Sequence, residues 1–133
     1  RPDLAIHQFV KKISNDQPLV LFGDGQTARD YTYIDDTVSG ICNALEYCLQ
    51  NSGVYTTVNL GNNHPVKLHE LVDIIYAAMG KEKNLVYESM QPGDVDITFA
   101  DISKAAALFN YKPAIGITEG IGKFIEWYRK MHK

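Results

Sequence analysis

The sequence predicts a mixed α and β fold, built as one domain from 133 residues, on three observations. Apolar residues return at three- and four-residue spacing in several separate stretches, the period of a helix with one inward face. Between those stretches lie short runs dense in β-branched and aromatic residues, which suit strands. Glycine, proline, asparagine and aspartate cluster at the junctions, where turns belong.

In chain order, Pro2-Asp3 opens the first helix, proline being tolerated in a first turn. Ile6, Phe9, Val10 and Ile13 form its apolar face, and Asn15-Asp16-Gln17-Pro18 ends it. Leu19 to Phe22 is a short buried strand. Gly23-Asp24-Gly25 makes a turn, since glycine tolerates positive φ and aspartate bonds its own backbone. Tyr31-Thr32-Tyr33-Ile34 reads as the next strand, with Tyr31 and Tyr33 on one face and expected in the core.

Asp35-Asp36 stands where a helix dipole favours acids and is expected to cap. Val38, Ile41, Cys42, Leu45 and Leu49 then share a helical face, terminated by Asn51-Ser52-Gly53. Val54 to Leu60 reads as a strand buried against other layers, and Gly61-Asn62-Asn63-His64-Pro65 turns the chain. Leu68, Leu71, Val72, Ile75 and Met79 mark a helix with Gly80 as its C-terminal cap.

Leu85 to Glu88 is a strand, Gln91-Pro92-Gly93-Asp94 a loop, and Ile97 to Ala100 another strand. Asp101 caps a helix that stops near Asn110. Thr118 caps the last helix, with Ile121, Phe124, Ile125 and Tyr128 on its inner face.

Composition excludes several function classes. The formal net charge is −3 with lysines scattered among acids, so no basic face for nucleic acid is expected. The basic residues from Lys123 to Lys133 suit a helix C-terminus. No apolar run has the length of a membrane span, no signal peptide is visible, and a cytoplasmic location is expected. Cys42 and Cys48 lie six apart on different helical faces, so no disulfide is expected between them, in keeping with a reducing compartment. His64 and His69 lack the neighbours of a metal site and are expected to be surface or capping residues. The chain begins without methionine and in mid-pattern, and is expected to be a fragment.

The stretch from Phe22 to Asp36 carries the chemistry. Arg29-Asp30 follows the glycine turn, and an arginine held there suits a phosphate, because its planar fork donates two parallel hydrogen bonds. Pairing of Arg29 with Asp30 or Asp35 is the alternative on spacing alone. The acids Asp30, Asp35 and Asp36 do not read as a catalytic carboxylate pair, since strand alternation turns Asp30 and Asp35 to opposite faces.

The string Gly-Asp-Gly followed by Arg-Asp-Tyr-Thr-Tyr-Ile-Asp-Asp resembles a segment of extended short-chain dehydrogenase/reductases that act on nucleotide sugars. Arg1-Pro2-Asp3-Leu4-Ala5-Ile6-His7, Asn59-Leu60-Gly61-Asn62 and Met90-Gln91-Pro92-Gly93-Asp94-Val95 extend the resemblance, in order, along nearly the whole chain. Together they resemble NAD-dependent epimerases of the UDP-glucuronate 4-epimerase type more closely than galactose epimerases or dehydratases. Gln91 stands where galactose epimerases carry a second phosphate-binding arginine.

Two devices of such enzymes are absent. Among the ten glycines no two lie three apart, and none of the eight tyrosines is followed by lysine four positions on. The first would bring a helix N-terminus to a dinucleotide pyrophosphate, and the second would supply a catalytic base. The Gly120-x-Gly122 pair falls inside a helical pattern and does not replace them. The resemblance therefore implies an α/β chain that is the C-terminal, substrate-binding region of an extended Rossmann-type enzyme. NAD and the base would sit on N-terminal polypeptide, and residues 35–61 would pack on that NAD-binding domain. Apolar surface so left open would be covered there, or by a second copy.

The resemblance also assigns ligand contacts. Arg29 would hold the diphosphate. Asp94 would accept from the ribose hydroxyls, although Pro-Gly-Asp also reads as an ordinary turn, and Gly93 would let the backbone come near. The main chain of Val20 and Phe22 would meet the uracil ring, and Arg1 would face the sugar carboxylate. The expected activity of the full-length protein is UDP-glucuronate 4-epimerisation, with a UDP-sugar as partner, a homodimeric assembly, and no nucleic-acid or membrane partner. The alternatives are a 4,6-dehydratase or decarboxylase of the same superfamily, or a non-catalytic nucleotide-sugar-binding module. The chain alone is expected to be inactive.

Overall fold

The computed structural model describes residues 4–90, 93 and 95–132. Ten elements follow one another: α1 (Ala5–Ser14), β1 (Leu19–Phe22), β2 (Ala28–Asp30), α2 (Ile34–Gln50), β3 (Pro65–Lys67), α3 (Leu68–Met79), β4 (Leu85–Glu88), β5 (Ile97–Thr98), α4 (Ser103–Phe109) and α5 (Ile117–Met131). This is the α/β architecture expected of the sequence.

Two small sheets organise it. In one, β1 and β4 run parallel, Leu19 opposite Leu85 and Phe22 opposite Glu88. In the other, β2 lies between β3, antiparallel, and β5, parallel. The main core gathers Val10 and Ile13 of α1, Leu19 and Leu21 of β1, Val66 of β3, Leu71, Val72, Ile75 and Tyr76 of α3, and Ile121, Ile125 and Tyr128 of α5. The helical faces read from the spacing of α1, α3 and α5 are the ones that pack here, as area-driven burial requires. Gly80 ends α3 in the left-handed conformation (φ +67°) and Asn110 ends α4 likewise (φ +55°), both where turn chemistry places them.

Several expectations are corrected. The strand expected at Tyr31–Ile34 falls earlier, at Ala28–Asp30, and Ile34 already opens α2. Strand status needs paired backbone on an edge, and the partners β3 and β5 meet only residues 28–30. Val54–Leu60 forms no strand among the described residues; its β-branched composition finds no neighbouring edge to pair with. β3 was not foreseen, because Pro65 reads as a turn. Proline is nonetheless tolerated as the first residue of an edge strand.

The cap of α5 is Gly116, with Thr118 inside the first turn. Asp36 does not cap α2: it is buried, and its carboxylate accepts from the N–H groups of Ala114 and Ile115 at 2.9 and 3.0 Å. Asp101 lies one residue before the α4 cap position and accepts from the Ser103 N–H at 2.9 Å. The opening of α1 at Pro2-Asp3 lies outside the described residues; the helix begins at Ala5, with Leu4 at its cap position.

α2 packs inside out. Its apolar stripe, Ile34, Val38, Ile41, Leu45 and Leu49, is exposed, Leu49 to 78 %. The opposite side, carrying Asp36, Gly40, Asn43 and Tyr47, faces the protein. There the Asn43 amide donates to the Phe109 carbonyl at 3.3 Å and the Tyr47 ring lies 6.3 Å from that of Phe109. Gly40 permits the approach, since a Cβ would fall 2.8 Å from both a Leu60 methyl and the Tyr111 ring.

Candidate functional site

Two connections run from the first sheet to the second. The short turn after β1 leads to β2, and the longer loop after β4 leads to β5. Because β1 parallels β4 and β2 parallels β5, the ends of the two connections lie beside each other. A cavity of about 330 Å³ opens between them, lined by Gly23, Asp24, Gln26 and Thr27 from the turn and by Met90 and Asp96 from the loop.

The turn has the chemistry its sequence predicts. Gly23 and Gly25 have φ of +72° and +76°, and Asp24 Oδ1 accepts from the Gln26 N–H at 3.0 Å. Gly23 is tied to the other strand by its N–H, which donates to the Glu88 carbonyl at 2.9 Å. A Cβ on Gly23 would stand 2.9 Å from Met90 Sδ, so a side chain there would press on the opposite connection. His69 braces the turn from α3, its backbone N–H donating to the Gly25 carbonyl at 3.1 Å and its Nδ1 lying 3.0 Å from the same oxygen.

None of the described candidate residues Val20, Phe22, Arg29 and Gly93 lines this cavity; they lie on the strands and in the connection beside it. Val20 and Phe22 alternate with buried Leu19 and Leu21 and are half-buried on the other face of β1, just before the turn. Arg29 lies on β2, just after it, partly buried, with Nη1 donating to the Ala28 carbonyl at 2.9 Å. Gly93 sits in the longer connection with φ +85° and open space where a Cβ would project. Arg1 and Asp94 lie outside the described residues. Tyr31 joins the margin of the core as expected. Burial pushes its phenol above the ordinary value, and the Arg29 guanidinium nearby works against that shift. Tyr33 instead carries Lys123 Nζ 5.4 Å from its ring centre and leans on Gly120.

Sequence reasoning missed the clamps that hold these strands. The Asp30 carboxylate accepts from the N–H groups of Asn62, Asn63 and Ala100 at 3.1, 3.0 and 3.1 Å. The Tyr111 hydroxyl donates to the Gly61 carbonyl at 3.0 Å. Nothing local announces these pairings, whose members stand 32 to 70 positions apart. Among the described residues no group of three or more histidine, cysteine or acidic side chains could hold a metal, and no helix is long and apolar enough to cross a membrane. Cys42 and Cys48 are both free and exposed.

Comparison with known proteins adds to this geometry. Residues 2–124 match the family model described as GDP-mannose 4,6 dehydratase. A UDP-glucuronate 4-epimerase of Thermodesulfobacterium geofontis is 37% identical over 131 residues, covering 98% of this chain and 39% of that protein. Protein CapI of Staphylococcus aureus is 35% identical over 147 residues, covering all of this chain and 44% of that one. Among solved structures, UDP-glucuronic acid 4-epimerase from Bacillus cereus, in complex with UDP-glucuronic acid and NAD, superposes with a TM-score of 0.89 at 31% identity. That match covers 98% of this chain and 41% of the other. The chain thus spans about two fifths of the length of these relatives and matches the C-terminal portion of the solved structures. With the family model extending over nearly all of its residues, the chain belongs to the GDP-mannose 4,6 dehydratase family.

Proposed function

We propose that this chain is the substrate-holding part of an NAD-dependent nucleotide-sugar 4-epimerase acting on UDP-glucuronate. The observation that carries the reading is the cavity between the Gly23–Thr27 turn and Met90 and Asp96, with Arg29 on the strand that follows the turn. A nucleotide laid along this seam would meet backbone from β1, a glycine turn and one guanidinium. Arg29 would grip the diphosphate through two parallel hydrogen bonds. The main chain of Val20 and Phe22 would receive the uracil, Gly93 and Asp94 would hold the ribose, and Arg1 would face the sugar carboxylate. Binding energy from this handle would anchor the sugar while its reacting ring changes face.

NAD does not fit the residues of this chain, which offer no glycine-rich strand-to-helix turn for its pyrophosphate. It would be held by polypeptide outside this chain, where it would supply hydride-transfer chemistry. The exposed stripe of α2 supports this division. Residues 35–61 would pack on the NAD-binding part, burying Val38, Ile41, Leu45, Leu49 and Tyr55, all exposed here. The chain alone would then be inactive, and the complete protein is proposed as a cytoplasmic homodimer.

A second reading is a 4,6-dehydratase, favoured by the family model's description and by a dTDP-glucose 4,6-dehydratase from Bacillus anthracis that superposes at a TM-score of 0.82 and 25% identity. Incubating the full-length protein with UDP-glucuronate and resolving the products by NMR separates the two. UDP-galacturonate is the expected product. A 4-keto-6-deoxy sugar from a neutral hexose nucleotide, with UDP-glucuronate untouched, would establish the dehydratase instead.

A further inference from the structure

Asp30 is the last residue of β2 and follows Arg29 directly. Its carboxylate is shared between the two flanks of that strand. Oδ1 accepts from the Asn62 N–H at 3.1 Å, and Oδ2 accepts from the N–H of Asn63 at 3.0 Å and of Ala100 at 3.1 Å. Asn62 and Asn63 belong to the turn that leads into β3. Ala100 lies just beyond β5. One side chain therefore fixes both neighbours of β2 where they meet its end.

The surroundings leave this carboxylate no latitude. A Cβ on Gly61 would fall 2.8 Å from Asp30 Oδ2 and 2.5 Å from the Ala100 Cβ. At the other end of β2, the Ala28 N–H donates to the Asp96 carbonyl at 2.7 Å, so β5 is held from both ends. β5 follows Val95 and Asp96, and its pairing with β2 sets where those residues stand relative to Arg29.

We infer that Asp30 is a positioning residue for nucleotide binding: by clamping the ends of β3 and β5 around β2, it holds the Arg29 guanidinium in the place the diphosphate requires. This rests on the reading of Arg29 as the diphosphate contact. Successive strand residues point to opposite faces, so Asp30 acts through backbone while Arg29 reaches the ligand. Asn in place of Asp30 keeps the shape but turns an amide donor toward a backbone N–H donor, leaving at least one of them without an acceptor.

The test is a double-mutant cycle on the full-length protein, with UDP affinity read by calorimetry well below the unfolding temperature. Asp30→Asn should weaken UDP binding roughly tenfold in the wild-type background and less than about twofold in the Arg29→Ala background, because the guanidinium it positions is gone. Gly61→Ala presses on the same oxygen from another residue and should reproduce both results, which keeps the test available if Asp30→Asn fails to fold. Ile125→Val, a change in the main core on α5, should lower the unfolding temperature and leave UDP affinity unchanged. A merely structural Asp30 would behave as Ile125 does. Weakened binding in Arg29→Ala alongside unchanged binding in Asp30→Asn and Gly61→Ala overturns the inference. Equal losses in both backgrounds also overturn it. Unchanged binding in Arg29→Ala instead removes the diphosphate reading itself.

Discussion

The hydroxyl of Tyr111 donates to the carbonyl of Gly61 at 3.0 Å, joining the segment after α4 to the turn that the Asp30 carboxylate clamps. The phenol is enclosed, and burial, then the charges of Asp36 and Asp30, push its pKa up. Tyr31 is pushed the same way by burial, with Arg29 opposing. A phenol held neutral in the fold contributes stability in full below its unfolded value of about 10 and loses that contribution as pH rises through the higher folded value. Denaturant midpoints measured across alkaline pH should therefore fall above about pH 10. Tyr111→Phe should cost about 1 kcal/mol at neutral pH and reduce that alkaline fall. An alkaline limb as steep as wild type would show that Tyr111 does not titrate with unfolding.

Arg29→Ala should weaken UDP binding by roughly 2 to 4 kcal/mol, the range for removing a charge-assisted phosphate contact. Calorimetry on the full-length protein reads this directly. Affinity equal to wild type would reject the diphosphate assignment.

Arg1→Ala should discriminate between substrates. A guanidinium facing a sugar carboxylate is idle toward a neutral hexose, so kcat/KM for UDP-glucuronate should drop while binding of UDP-glucose stays near wild type. Equal losses for both nucleotides would argue against carboxylate recognition.

Leu45, exposed to 59 % here, should behave as a core residue in the complete protein. Leu45→Asp should destabilise it by roughly 2 to 4 kcal/mol, the penalty for an unpaired charge or cavity in a buried site. Leu45→Met should cost less than about 1.5 kcal/mol. A change within about 0.5 kcal/mol for Leu45→Asp, as on an open helix surface, would leave the α2 stripe unpacked.

Local chemistry made much of the fold legible. The Gly23-Asp24-Gly25 turn, the left-handed cap at Gly80, the stop of α4 near Asn110, the strands at Leu19 and Leu85 and the inward faces of α1, α3 and α5 all follow from backbone freedom or from period. The two strand expectations that failed share one cause. Tyr31–Ile34 and Val54–Leu60 have strand composition, yet a strand exists only where a second edge arrives. Short Ala28–Asp30 has that edge on both sides.

The same division holds for the site. Residue type alone announced the Gly23-Asp24-Gly25 turn, because its glycines and aspartate need only their own neighbours to act. Composition could not say that Asp30 and Asp36 would become clamps, that Met90 would stand against Gly23, or that the apolar stripe of α2 would be left outward. Those outcomes depend on backbone donors and side chains brought together across the chain. Hydrogen bonds and close packing act over a few ångströms in space, whatever the distance along the sequence.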